Sequence, residues 1–574
     1  MDVGLFFKIA AEVVGGLGVF LLGMKYMSEG LQAVSGDKLR KMISAVTSNR
    51  VMGVIVGLLV TCIVQSSSVT TVMVVGFVNS GIMTLMQAIG VVFGANIGTT
   101  ITGWILVLDI GKYGLPILGI AAFFFLFSKK DKLRYIGMTI MGIGMVFFGL
   151  ELMKNGFKPL RSNAEFNAWF HAFHITLDGD LLHMYPNIIK CAAVGCLLTM
   201  IVQSSSATLG ITIGLAATGV IEFPTAAALV MGENIGTTIT ALLASLGTTV
   251  SARRAAYAHV FFNVFGTMWF IALFPLAIHG VSHIIAWKTG FNPLDIGIDS
   301  MDEGRFSQVI TAGIALTHTS FNVANVLLFL PFAGLLAKFV TKLVPDKKTK
   351  EVSHLTYLDV RMLDTPALSI VQSAQQINFM GESVVAMLGK LQTCLENDKL
   401  DTDLAQKIFK REEILDNVQK EIFVFLSNLV SGQVPHDITK KAHMQMRIAD
   451  EYESLSDYVA NVLKGIKKLE ELGLPLDGPA REKLLALHGR VTAYIQKVNQ
   501  YVKDDQSKDI LEWAGSEGSA ITALMKEFRR QHLERLQKEE VSPFFSLAFT
   551  DILNYYRRMK DHALNIAEVV AGEK

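Results

Sequence analysis

Two short polar runs stand out in otherwise apolar sequence, and each occurs twice. Gln65-Ser66-Ser67-Ser68 recurs as Gln203-Ser204-Ser205-Ser206. Each is followed by a second run, Gly94-Ala95-Asn96-Ile97-Gly98-Thr99-Thr100 in the first case and Gly232-Glu233-Asn234-Ile235-Gly236-Thr237-Thr238 in the other. Amide and hydroxyl side chains offer donors and acceptors together. Neutral oxygens of this kind suit a hard alkali cation, while hydroxyls and the free N–H groups of a helix start suit an anion. No Arg or Lys lies in either run, so an anion held here would depend on dipoles, hydroxyls and a co-bound cation. A lone serine run would read as back-bonding to its own helix, or as a close-packing surface. Two copies of both runs at equal spacing point to a site instead. Glu233 replaces Ala95 of the first copy and is the one ionisable group in either second run. An intramembrane carboxylate is a candidate for ligating a cation or carrying a proton.

The spacing marks a duplication. From Gln65 to Thr102 against Gln203 to Thr240, 17 of 38 positions are identical without a gap, at an offset of 138. An earlier stretch, Gly16 to Gly23, resembles Gly142 to Gly149 at an offset of 126, with Met27 and Gly30 matching Met153 and Gly156. A third pair is His259-x-x-Phe262-Asn263 and His318-x-x-Phe321-Asn322, a candidate for a structural or gating role near the site.

The elements that must position these residues are membrane helices. The chain has 574 residues, 51% of them hydrophobic, and a mean hydropathy of +0.41. Between Val51 and Ser128 only Asp109 and Lys112 are charged, and between Cys191 and Ala252 only Glu222 and Glu233 are. After Lys338 charges recur every few residues. The net charge of +1 averages two unlike halves and gives no sign of nucleic-acid binding. Four scattered cysteines form neither a disulfide framework nor a zinc-like spacing. The N-terminus lacks a basic n-region and a cleavage site and reads as the approach to a retained helix. No P-loop is present, so ATP-driven pumping is not expected, and neither is an enzyme or a bound cofactor.

Basic clusters fall at Lys38-Arg40-Lys41, Lys129 to Arg134, Arg253-Arg254 and Lys338 to Lys350. The positive-inside rule makes these cytoplasmic and places 160–187 and 280–304 outside. Corresponding connections of the two copies then fall on opposite sides. The expected fold is all-α: a polytopic membrane protein with two inverted repeats, plus a soluble helical bundle. The membrane part covers 1–342, with repeat one at about 10–128 and repeat two at about 134–341. A linker spans 343–355 and the soluble part 356–574. In inverted-repeat transporters, broken helices face a site near the midplane. The glycines beside Asn96 and Asn234 suggest such breaks.

The paired QSSS runs, each followed by G-x-N-I-G-T-T, resemble the type II sodium/phosphate cotransporter family over residues 10–340. The resemblance implies re-entrant hairpins that bind sodium and phosphate. It carries over to Gln65, Ser66, Ser67, Ser68, Asn96, Thr99, Thr100, Gln203, Ser204, Ser205, Ser206, Asn234, Thr237 and Thr238. It implies inorganic phosphate as substrate, Na⁺ as coupling ion, and a multi-pass protein of the bacterial inner membrane. Homo-oligomerisation stays open.

In the charged half, Leu415, Val418, Ile422, Phe425 and Leu429 mark one apolar helix stripe. Breaks near Asn397-Asp398, Gly432 to Pro435, Gly473 to Pro479 and Asp504 to Ser507 suggest two antiparallel bundles. Glu453-x-x-x-Asp457-Tyr458-x-x-Asn461 and Arg557-x-x-x-Asp561-His562-x-x-Asn565 are 104 apart. Asp561 to Glu568 resembles the signature of the PhoU regulatory domain. That implies a cytoplasmic location, a regulatory partner, and a divalent metal at Glu453 and Asp457 with Glu412, Glu413 and Asp416 as companions. Arg557 stands where the second bundle's glutamate should be. The leading reading is sodium-coupled phosphate transport. A transporter of another oxyanion and a membrane-anchored phosphate-signalling protein are the rivals.

Overall fold

The computed structural model describes residues 3–44, 49–79, 83–108, 110–163, 173–177, 181–246, 248–345, 363, 366–397, 399–432, 434–474, 476, 478–504, 510–538 and 540–573. Of the sequence expectations, Asp109, the side chains of Lys38, Arg40 and Lys41, and the linker beyond residue 345 fall outside them. The chain divides into two compact units, Met1–Lys348 with Asp364–Leu368, and Thr349–Leu363 with Ser369–Lys574.

Among its described residues the first unit has helices and no strands. Its helices are α1 (Val3–Ser44), α2 (Arg50–Val64), α3 (Ser67–Asn79), α4 (Leu85–Thr99), α5 (Ile101–Val107), α6 (Gly111–Phe127) and α7 (Asp131–Phe157). They continue as α8 (Leu181–Val202), α9 (Ser205–Ala217), α10 (Phe223–Gly236), α11 (Thr238–Ala244), α12 (Val250–Ala272), α13 (Phe274–Thr289), α14 (Glu303–Phe329) and α15 (Ala333–Leu343). Seven helical stretches among the described residues are long and apolar enough to cross a bilayer. Helices α2 and α3 are not: 15 and 13 residues reach only about 20 Å each, short of the ~30 Å hydrocarbon layer.

Glycine sets the packing of this unit, because helices in lipid associate through close backbone contact rather than hydrophobic burial. On α4, a Cβ at Gly94 would stand 1.9 Å from the Val54 carbonyl oxygen on α2, and one at Gly57 2.0 Å from the Val91 oxygen. The second copy repeats both contacts 138 residues on. A Cβ at Gly232 would meet the Ala192 oxygen at 1.7 Å, and one at Gly195 the Leu229 oxygen at 2.0 Å. Helices α1 and α7 cross in the same manner. Gly16 lies against Gly149 and Gly23 against Gly142, each glycine's Cβ position being 2.6–2.8 Å from the other's carbonyl oxygen. Position rises on one helix as it falls on the other, so the two run antiparallel.

The described residues of the second unit form six α-helices: α16 (Pro366–Glu396), α17 (Thr402–Ser431), α18 (His436–Glu471), α19 (Gly478–Asp504), α20 (Ile510–Gln537) and α21 (Pro543–Ala571). The predicted stripe on α17 is buried throughout. The break between α20 and α21 escaped the sequence reading, although Ser542-Pro543 signals it. The Ser542 hydroxyl accepts from the Phe545 N–H, and Pro543 occupies the first turn, where no N–H is needed. Tyr452 on α18 donates to Asn499 Oδ1 on α19 (2.8 Å), and the Asn499 amide donates to the Gly381 carbonyl on α16 (2.8 Å). Burial, then the neighbouring Asp457, raises the carboxyls of Glu412 and Glu453 above the usual range.

Two outcomes follow. Gly94→Ala and Gly232→Ala should each destabilise the first unit by about 3 kcal/mol or more, since the contact is with backbone that cannot swing away. Gly18→Ala and Gly119→Ala, where no atom lies within 4 Å, should be near neutral; thermal unfolding in detergent by size-exclusion separates the pairs. In the second unit, a raised folded pKa means that the folded state holds its proton more tightly. That stability is present at low pH and is lost as pH rises through the folded pKa. Amide protection of α17 and α18 should therefore increase from about pH 7 to 5. Glu453→Gln should flatten that dependence and raise protection at pH 7 by less than about 1 kcal/mol, the group being part-exposed.

Candidate functional site

Both QSSS runs sit at sharp helix breaks. Gln65 ends α2 at φ 54° and Gln203 ends α8 at φ 55°. Among the described residues these are the two non-glycine positions with positive φ. A left-handed turn at a non-glycine residue costs about 1–3 kcal/mol and persists where the surroundings over-determine it. The next residue is a cap in both copies: Ser66 Oγ accepts from the Val69 N–H (3.3 Å) and Ser204 Oγ from the Ala207 N–H (3.2 Å). Thr61 bonds Thr70 across the first break (3.0 Å), as Thr199 bonds Thr208 across the second (3.1 Å). Two 13-residue helices, α3 and α9, thus begin at the tips. Ser67, Ser205 and Ser206 are buried, and Ser68 is half-buried, in their first turns.

The second runs behave differently from the expectation. Asn96 and Asn234 lie inside continuous helix, their amides donating to the carbonyls of Val92 (2.9 Å) and Val230 (2.8 Å). The helix is interrupted only at Thr100 and Thr237, both in right-handed helical conformation. The flanking glycines serve packing: Gly98 faces Thr61, and Gly236 faces Cys196 and Thr199. Thr99, Thr100 and Thr238 bond the carbonyls of Ala95, Ile97 and Ile235 (3.0, 2.8 and 2.7 Å). Thr237 does not follow Thr99. Its buried Oγ has no partner, and neither carboxylate oxygen of Glu233, one turn earlier, has one. Glu233 is 1% exposed. A buried carboxylate without a partner is stable only if a proton or a cation neutralises it.

One residue missed in the sequence ties the copies together. Thr102 on α5 donates to Gln65 Oε1 (3.4 Å) and pairs with Ser206 Oγ of the other copy (3.5 Å). Its counterpart Thr240 ends the aligned stretch, and that identity was the available signal. Gln65 is buried, with its amide on the Cys62 carbonyl (2.5 Å), whereas Gln203 is exposed. Of the second motif pair, His318 Nε2 and the Asn322 amide both reach Asn234 Oδ1 at 3.4 Å.

No metal site is shown at Glu453 and Asp457 in the second unit. Among the described residues no three His, Cys, Asp or Glu side chains are placed to hold a metal ion. Asp416 pairs with Lys420 (2.7 Å) and Asp561 with Lys560 (2.5 Å). His562 and Asn565 converge instead on Glu451 (2.6 and 3.2 Å), which the sequence reading did not single out.

Residues 19–155 and 172–303 match the Na⁺/Pi-cotransporter family, and residues 377–466 match the PhoU domain. The "Putative inorganic phosphate export protein YjbB" of Salmonella typhimurium is 25% identical over 450 residues, 78% of this chain and 76% of that protein. YqeW of Bacillus subtilis is 28% identical over 329 residues, 57% of this chain and 96% of its own. The human "Sodium-dependent phosphate transport protein 2B" is 39% identical over 98 residues, 17% of this chain and 14% of that protein. No solved structure matches. The duplicated helix breaks therefore lie in a membrane unit that matches the Na⁺/Pi-cotransporter family over 19–155 and 172–303, joined in one chain to a segment that matches the PhoU domain.

Proposed function

We propose that the chain moves inorganic phosphate across a membrane by alternating access, coupled to sodium, under regulation by its PhoU domain. The observation that carries this is the Gln65–Thr102–Ser206 chain of contacts, which joins the two helix breaks across the duplication. Substrate held there touches both copies at once, so movement of one copy against the other changes the side from which it is reached. The starts of α3 and α9 supply N–H groups and positive dipole ends for a phosphate anion. Hydroxyls of Ser67, Ser68, Ser205 and Ser206 and the amides of Gln65 and Gln203 replace its hydration. Glu233 and Thr237 offer oxygen to Na⁺, with Asn96, Asn234, Thr99, Thr100 and Thr238 lining the second runs. The antiparallel crossing of α1 on α7, two corresponding helices, supports inverted repeats, and the short reach of α2 and α3 supports re-entrant hairpins.

The basic clusters support a cytoplasmic PhoU domain. Secondary transport runs whichever way the gradients drive it, so relatives named for export and for sodium dependence are compatible with one mechanism. Intact polar runs in both copies disfavour a signalling protein with a vestigial pathway.

Radiolabelled phosphate flux in proteoliposomes, with Na⁺ imposed on either side, tests the assignment. Gln65→Gly and Gln203→Gly keep the left-handed turn and remove the amide. Each should lower flux by about tenfold or more, the worth of one hydrogen bond to a charged group, while the protein stays monodisperse. Normal sodium-dependent flux in the double variant would reject the site. Glu233→Gln should change the charge moved per phosphate under a clamped potential; a wild-type ratio would reduce Glu233 to a spacer.

A further inference from the structure

The two H-x-x-F-N segments are used unequally, and the inequality has a geometry. In each, the asparagine amide donates to the carbonyl of its own histidine: Asn263 to His259 (3.1 Å) and Asn322 to His318 (2.9 Å). All four side chains are at most 1% exposed. His318 and Asn322 reach Asn234 on α10. His259 and Asn263 stand beside the other copy's helix, since Phe262 stacks on Phe93 of α4 at 4.2 Å, one turn before Asn96. Yet both ring nitrogens of His259 have no partner, against one for His318, while the side-chain oxygens of Asn263 and Asn322 are alike in having none. Buried donors and acceptors are rarely left so, and each asks for an explanation.

Helices α12 and α14 run antiparallel. Phe262 meets Phe329, Trp269 bonds Asn325, and Phe270 meets Phe321. Continued one turn, this register sets His318 level with about residue 273 of α12. His259 is then roughly 20 Å away along the axes, at 1.5 Å per residue. The two segments therefore sit toward opposite ends of the helix pair, one on Asn234 and the other beside Phe93, one turn from Asn96. The copies differ in the same sense, with Gln65 buried and Gln203 exposed.

We infer that these are paired positioning residues, made alternately. His318 and Asn322 hold Asn234 in the state seen here, and His259 and Asn263 hold Asn96 in the opposite one. Long contacts of 3.4 Å suit this, because a clasp that must open each cycle cannot be strong. The inference rests on the two-state reading above. It goes beyond that reading in naming the residues that set the balance between the states.

The test uses the full chain in nanodiscs with Cys62, Cys191, Cys196 and Cys394 replaced by serine, and a single probe, Gln203→Cys or Gln65→Cys. A bulky hydrophilic maleimide reports labelling rate at each. His318→Ala with Asn322→Ala should slow labelling at position 203 and quicken it at position 65, each by about three- to tenfold, the effect of losing weak hydrogen bonds from one state. His259→Ala with Asn263→Ala should shift both rates in the opposite directions. His318→Gln alone, which keeps a donor, should stay within about twofold of the parent. If an alanine pair does not fold, Asn322→Ser and Asn263→Ser carry the comparison. Changes of the same sign in both pairs, or no change in either, would overturn the inference. Flux is read in the cysteine-free parent that keeps Gln65 and Gln203: opposite shifts with no phosphate moved by that parent would keep the clasps and reject the substrate. Sodium-driven phosphate flux in that parent without opposite shifts would reject the clasps alone.

Discussion

Where Gly94 lies on the Val54 carbonyl and Gly57 on the Val91 carbonyl, two helix backbones touch with no side chain between them. In lipid, apolar side chains gain nothing by meeting one another rather than the acyl chains, so contact of this kind is what holds a helix pair. It fixes α2 against α4 along three turns, and α8 against α10 by the same residues one copy later. With α2 held, its end at Gln65 is fixed in space. With α4 held, Asn96 is carried to a set height above that end. The polar runs therefore owe their mutual placement to glycines that carry no chemistry of their own.

That placement lets two short helices begin in the interior of the unit. A helix start exposed to lipid would leave its N–H groups unsatisfied. Here Ser66 and Ser204 cap one N–H group each, and the rest of each first turn opens toward serines and an amide. In the first copy the carbonyl side of the break is closed as well. Ser28 on α1 donates to the Val64 oxygen at 2.6 Å, and Gln65 folds back onto Cys62. The first serine of each triplet has a structural task, and Ser206, the third of the second triplet, meets Thr102 of the other copy.

Much of this was legible in the chain. The duplication came from repeated residues at constant spacing, and the helical character of both units from period and composition. The nearly continuous helix at Asn96 and Asn234 was not legible, because a glycine that permits a break and one that permits a close approach look alike in a sequence. Only the partner helix decides between them. Thr102 was passed over for a related reason: one threonine in a membrane helix has no distinguishing neighbours, and its role depends on Ser206, 104 residues away. Glu451 was missed because a helix rich in acids offers several equivalent candidates at the same spacing. The partners that select it, His562 and Asn565, come from α21.

The crossing of α1 and α7 has one more implication. Gly16 meets Gly149 and Gly23 meets Gly142, so the same two positions of each copy face the other copy in exchanged order. Identical subunits make contacts of this form about a two-fold axis, and the α1–α7 crossing has that geometry between two halves fused in one chain. Fusion removes a constraint that a true homodimer cannot escape. Identical subunits must bury either no carboxylate or two, and two uncompensated charges near one axis repel. A fused pair can carry one. Ala95 in the first copy and Glu233 in the second are the record of that freedom.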